Sequence, residues 1–237
     1  MPMAKSPNSI SVLFDALKEH GLVCFGGLEI SVDECAFDSE DLTGKWGLLV
    51  GNVSRDMWQV FSKSPEYVDG YKDPMNRWTK RVLDDVAGLL GARVVYPFDE
   101  PYWPFQRLAQ KAAGVKPSPL GILIHSEFGL WHAFRGLVIF DEIQEFESQI
   151  SVLAVQAKSL NHPCNRCDEK PCLSTCPVGA FTGERLNVQS CFSHLDRHTE
   201  PDCMMSGCQA RCACPIAKEH QYDGAQMKFH MKSYRGN

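Results

Sequence analysis

The spacing of apolar residues divides the first two thirds of the chain into short periodic stretches. Ile10 to His20 is amphipathic with a helical period, follows the capping pair Asn8-Ser9 and stops at Gly21, which predicts a first helix. Leu22 to Ile30 is an apolar run containing Gly26 and Gly27 and reads as a strand. Trp46 to Val50 reads as a strand buried on both faces. Asp73-Pro74 predicts a helix start, with aspartate as cap and proline at the first helical position, running from Met75 to Leu90 before Gly91. Val94 to Tyr96 follows as a strand, and Trp103 to Ala113 as a helix that begins near Pro104 and closes at Gly114. Gly121 to His125 and Gly136 to Phe140 read as strands, with Phe128 to Trp131 between them, and Ile150 to Val155 is a further strand candidate. Helices and strands alternate, so residues 1–160 form an α/β or α+β domain. The pattern gives way between Lys158 and Pro163, and a second domain is expected over residues 161–237.

Composition narrows this picture only slightly. The 237 residues suit one domain plus a small module, and 44% hydrophobic with 22% charged residues is ordinary for a globular protein. A net charge of −5 without any Lys/Arg-rich run gives no bulk support for a phosphate-binding surface. The first residues, MPMAKSPNSI, lack the apolar core of a signal peptide, and no apolar stretch is long enough to span a bilayer. The chain therefore reads as soluble and cytoplasmic. No glycine-rich phosphate loop follows a strand, and Gly26-Gly27 alone does not make one.

The cysteines change the picture. Nine of eleven lie between Cys164 and Cys214. Cys164, Cys167 and Cys172 lead to Cys176-Pro177; Cys191, Cys203, Cys208 and Cys212 lead to Cys214-Pro215. Two runs that each end in Cys-Pro match a protein holding two [4Fe–4S] clusters in the bacterial ferredoxin manner, where the last cysteine of a run crosses to the other cluster. Structural zinc is the nearest rival, because Cys-x2-Cys pairs build zinc sites too; disulfides fit a reducing compartment poorly. The favoured division is Cys164, Cys167, Cys172 and Cys214 for one cluster, with Cys176, Cys191, Cys208 and Cys212 for the other. That leaves Cys203 over. Cys203-x4-Cys208-x3-Cys212 also repeats the spacing of Cys167-x4-Cys172-x3-Cys176. On that count Cys203 is a ligand, so which of Cys203, Cys212 and Cys214 is surplus stays open. Cys24 and Cys35 read as buried small hydrophobes.

The stretch Cys164 to Phe181, then Ser190-Cys191-Phe192-Ser193-His194-Leu195, Gly207-Cys208 and Cys214-Pro215 resemble the cluster region of epoxyqueuosine reductases, and reductive dehalogenases share a related architecture. Upstream, Gln106-Arg107-Leu108-Ala109, Ala113-Gly114, Leu120 to Ile124, Phe128 to Trp131 and Arg135-Gly136 are similar to that family's approach to its corrinoid pocket. The resemblance covers roughly Pro97 to His220. It implies an α+β architecture: a nitroreductase-like α/β sandwich followed by a small ferredoxin-like domain with two [4Fe–4S] clusters. It also implies cobalamin in the first domain, FMN being the lesser alternative there. Trp131, His132, Arg135 and Arg107 are the residues it places near that cofactor. Three features depart from the family. Gln106 stands where its Glu-Arg pair has glutamate, with Asp99 and Glu100 the acids nearby and Glu100 at the matching distance. Lys116-Pro-Ser-Pro-Leu-Gly121 replaces a Gly-Trp-Ile-Gly-Lys segment. The helical-repeat extension that helps hold tRNA is missing after the cysteines. With the acidic net charge, these departures set tRNA aside as a partner.

Individual side chains then acquire candidate roles, each beside a plainer one. Glu100 and Asp99 are the candidate catalytic acids for protonating a reduced product, or a solvated turn before Pro101. His125, His132 and His194 bind a cofactor or move protons, or are packed and hydrogen-bonded. Tyr96, Phe98, Tyr102, Trp103 and Phe105 line a flat cofactor's pocket, or form core. Arg107 and Arg135 hold cofactor or substrate, or make surface ion pairs. The leading expectation is an iron–sulfur oxidoreductase passing electrons to a cofactor, by resemblance cobalamin, that reduces a small-molecule substrate. A redox partner supplies the electrons. The alternatives are an electron carrier or corrinoid-handling protein without a substrate, and a flavin-dependent reductase.

Overall fold

The structure is a computed structural model that describes residues 10–31, 42–140, 150, 151, 153, 161–183, 185–197 and 202–236. The expected cap at Asn8-Ser9 and the thiol of Cys35 lie outside the described residues. The chain divides into two compact units that interleave in sequence: Met1–Gly114 with Ala133–Leu160, and Val115–His132 with Asn161–Asn237.

The first unit is mixed α+β around a small antiparallel sheet. Helix α1 (Ile10–Glu19) buries Ile10, Leu13 and Leu17, the i, i+3, i+7 stripe of an amphipathic helix, and ends at Gly21 with φ +66°. β1 (Leu22–Glu29) pairs antiparallel with β2 (Trp46–Val53), whose Leu48, Leu49 and Val50 are fully buried, as a run apolar on both faces requires. The order β1–β2–β6–β3 is completed by β3 (Arg93–Val95) and β6 (His132–Phe140), which also pair antiparallel. Two short helices, α2 (Asp56–Phe61) and α3 (Pro65–Val68), lead into α4 (Pro74–Gly88), whose buried stripe includes Trp78, Val82, Leu83 and Val86. α5 (Phe105–Ala113) packs on β1 and β2 and ends at Gly114 with φ +62°.

Gly26 and Gly27 take a packing role. The β1–β2 register shifts between Cys24 and Gly26, and a Cβ on Gly26 would stand 2.0 Å from the Ala112 carbonyl oxygen. A Cβ on Gly27 would stand 2.4 Å from the Ile150 side chain. The missing side chains let α5 and Ile150 approach the strand closely.

Two expected elements differ. Asp73 adopts φ +51° and its side chain makes no capping bond, so proline preorganisation and the buried stripe start α4 without the aspartate cap. Within the expected strand Ile150–Val155, the described residues 150, 151 and 153 are helical; a short apolar run fits either state, and period alone does not separate them.

The second unit has almost no sheet. β4 (Lys116–Pro117) and β5 (Leu123–Ile124) form a minimal hairpin, and the bridge His125–Gly129 turns the chain again. The rest is short helix: α6 (Pro171–Ser174), α7 (Val188–Arg197), α8 (Cys203–Ser206), α9 (Gln209–Cys212) and α10 (Gly224–Arg235). Arg235 joins α10 to α7 through a bidentate pair with Asp196 at 2.7 and 2.9 Å. The segment Val115–His132, expected with the first domain, groups with this unit. The physical reason is burial: its Leu120, Ile124 and Leu130 form one apolar cluster with Cys172, Ala210 and Cys214. Among the described residues, no helix is long and apolar enough to cross a membrane.

Candidate metal centres

The first thiol group is built on a turn and a short helix. His162 Nδ1 accepts the Cys164 amide at 3.2 Å, so the ring proton sits on Nε2, which donates to the Pro117 carbonyl at 3.0 Å. The histidine thus pins the start of the cysteine run to β4. Pro171 then starts α6, which buries Cys172. Cys172 and Cys214 lie in the apolar cluster, and Cys164, Cys176 and Cys208 pack against it. Burial raises the Cys164 pKa, and the neighbouring thiols of Cys214, Cys172 and Cys167 raise it further. Burial also raises Cys172 and Cys214, and each feels Cys167. Cys164, Cys167, Cys172 and Cys214 therefore share one neighbourhood.

The second group surrounds a small cavity lined by Cys176, Cys191, Cys203 and Cys208, with Phe181, His194, Leu195, Ala210 and Met231 among its walls. Burial pushes the Cys191 thiol up to about 11, with Cys208, Cys176 and Cys203 adding to it. The Ala180 amide donates to Cys176 Sγ at 3.3 Å. Burial raises Cys208 as well, while the backbone amides of Arg211 and Ala210 pull it back down. Cys212, which the sequence placed in this set, stands off the cavity. Its thiol donates to Met227 Sδ at 3.7 Å, although Cys208 and Cys203 remain close enough to raise its pKa. Cys203, which the sequence left over, faces the cavity instead.

Zinc needs four ligand atoms within about 2.3 Å of one point. Among the described residues, no three His, Cys, Asp or Glu side chains converge in that way. A cubane is a cage whose thiolates sit on its outer corners. It takes thiols that surround a cavity, and the second group does so among apolar walls. Every described cysteine is a free thiol.

The other candidates fall in separate places. Asp99 is partly exposed and accepts from Lys80 Nζ at 2.6 Å, and Glu100 is exposed before Pro101. Tyr96 donates to Asp84 at 2.7 Å and stacks on Phe98 at 5.2 Å, while Trp103 and Phe105 are buried and Tyr102 is exposed. Arg107 is exposed on α5, and Arg135 Nε donates to the buried Asn52 at 2.9 Å; both belong to the first unit. Trp131 and His132 belong to the second. The Trp131 ring is fully buried, with the Arg211 guanidinium 4.7 Å from its centre. His132 Nδ1 meets the Gly129 carbonyl at 3.1 Å, so it carries that proton, and burial lowers its pKa to about 3. His125 Nδ1 accepts the amides of Glu127 and Phe128, and burial lowers it to about 4. His194 is buried on the second cavity. Cys24 donates to the Gly26 carbonyl at 3.8 Å, and burial pushes it up to about 12.

Sequence reasoning missed His162 and Met227. The signal for His162 was its place immediately before Pro163-Cys164 at the head of the run. Met227 had no local signal, because its role depends on how α10 returns.

No known family's sequence profile matches this chain, and no curated protein matches it by sequence. Among solved structures, an epoxyqueuosine reductase bound to an epoxyqueuosine-modified tRNA-Tyr stem loop is similar at TM-score 0.46 and 14% identity. The match covers 90% of this chain, which spans 66% of the length of that one. Because that protein was solved on a tRNA, the expectation that set tRNA aside is withdrawn. Net charge sums the whole surface and is silent about any one face.

Proposed function

We propose that this chain is an iron–sulfur oxidoreductase whose second unit holds two [4Fe–4S] clusters. The observation that supports this reading is the gathering of the cysteines into two groups, Cys164/Cys167/Cys172/Cys214 and a second group around one apolar cavity. Such clusters, when bound, supply one-electron transfer at potentials set by charge, burial and hydrogen bonds to sulfur.

The surrounding residues supply those three influences. The Ala180 amide donates to Cys176 Sγ. Arg211 is clamped between the Trp131 and Tyr222 rings, 4.7 and 4.9 Å from their centres, and donates to the Leu130 carbonyl. Its positive charge favours thiolates at Cys208 and Cys212. Phe181, Leu195, Ala210 and Met231 keep water off the cavity.

Cobalamin is the acceptor that the family resemblance implies, with FMN the lesser alternative. Of the residues named for it, Trp131 and His132 belong to the second unit and Arg107 and Arg135 to the first, and no step is derived through the group.

Anaerobic reconstitution tests the proposal. About eight irons and eight sulfides per chain are expected, with reduced clusters visible by electron paramagnetic resonance. Zinc in place of iron, or one cluster at most, rejects the reading. Titration of loaded protein with cobalamin and with FMN then identifies the acceptor.

A further inference from the structure

We infer that Cys203, and not Cys212, supplies the fourth thiolate of the second cluster, and that Cys212 is the surplus thiol, held by Met227. The inference rests on the two-cluster reading and deepens it.

Four observations converge. First, the thiols that line the cavity are those of Cys176, Cys191, Cys203 and Cys208, four for a four-cornered cage, and Cys212 is not among them.

Second, Cys203 is held in place. Asp202 caps α8 by accepting the amides of Met204 at 2.9 Å and Met205 at 3.3 Å, which fixes Cys203 as the first helical residue. Cys203 is 6% exposed and shares an apolar cluster with Leu195 and Met204, against which Cys191 packs.

Third, Cys212 has its own partner. Its thiol donates to the Met227 thioether, a soft acceptor, and Met227 also covers Gly207, where a Cβ would stand 2.7 Å from Met227 Sδ. The methionine therefore fills the space beside Cys212.

Fourth, Cys208 and Cys212 are not equivalent helical positions: Cys208 is the cap of the single turn α9, with extended backbone at φ −62°, ψ 115°, and Cys212 is its last helical residue.

Iron analysis of Cys203→Ala and Cys212→Ala, each reconstituted beside the wild type, tests this. Cys203→Ala is expected to fall from about eight irons to about four, keeping one cluster's resonance signal, while Cys212→Ala keeps about eight. The reverse pattern, or equal behaviour of the two variants, overturns the inference. Loss of clusters from the wild type itself would instead reject the two-cluster reading. A labelling experiment needs no variant: loaded wild-type protein is alkylated, then stripped, unfolded and alkylated with a heavy reagent. Cys212 should carry the first label and Cys203 the second. Cys203 carrying the first label, or Cys212 carrying only the second, overturns the assignment.

Discussion

At the residue scale, the buried histidines make the second unit sensitive to acid. His125 and His132 lie 6.0 Å apart between ring centres, and burial lowers them to about 4 and about 3; Arg211 adds to the shift at His132. In the unfolded chain both titrate near about 6.5. Below that value the unfolded state holds more protons than the folded one, so stability falls with pH. The contribution is complete above pH ~6.5 and is lost progressively as pH drops toward the folded values, at about 1 kcal/mol per pH unit for each histidine. His132→Gln keeps a donor for the Gly129 carbonyl and removes one titration. Urea midpoints compared at pH 7 and pH 5 should show a smaller acid loss in the variant than in the wild type; an equal loss would remove His132 from the account. These histidines also show where residue-level reading stops. Their positions were visible, but a neutral, packed imidazole and a pocket-lining one look alike in sequence, and burial decides between them.

At the element scale, legibility followed periodicity. α1, α4 and α5 each repeat apolar residues at helical spacing and were read nearly to their ends, whereas β2 was read only as far as Val50, before the polar Asn52 interrupts its apolar run. α2 and α3 were missed because each spans less than two turns, too short to display a period. A cap signal was present for α3, where Ser64 accepts the Tyr67 amide at 3.3 Å and Pro65 takes the first helical position. In the cysteine region the ligand pattern was legible, yet the choice between Cys203 and Cys212 was not. That choice depends on caps and on the return of α10, neither of which spacing encodes. α8 illustrates the point. It is one turn long, and one turn alone does not persist in water. Asp202→Ala removes both capping bonds and should cost about 1 kcal/mol. Under the assignment of Cys203, it should also hasten loss of the second cluster to a chelator while leaving the first unchanged. Equal rates for the two clusters would separate α8 from cluster retention.

At the scale of the whole molecule, the two units differ in what holds them together. The first has a four-stranded sheet backed by α1, α4 and α5. The second carries most of its thiols on or next to three one-turn helices, beside the longer α7 and α10, and such short pieces gain stability from what cross-links them. Iron removal should therefore raise hydrogen exchange in peptides from residues 161–236 and leave β2 and β6 protected. Matching loss of protection in both units would show that the sheet depends on the metal as well. The neighbourhood of Cys214 with Cys164, Cys167 and Cys172 has a further consequence for biosynthesis. On the ribosome, the three early cysteines emerge well before their partner. A nascent chain halted ahead of Cys214 presents three thiolates that cannot close a four-cornered cage. Under the two-cluster reading, the first cluster can be completed only after Cys214 has been made. A premature stop between Cys172 and Cys214 would keep every strand of the sheet and leave Cys164, Cys167 and Cys172 open to oxidation without their partner.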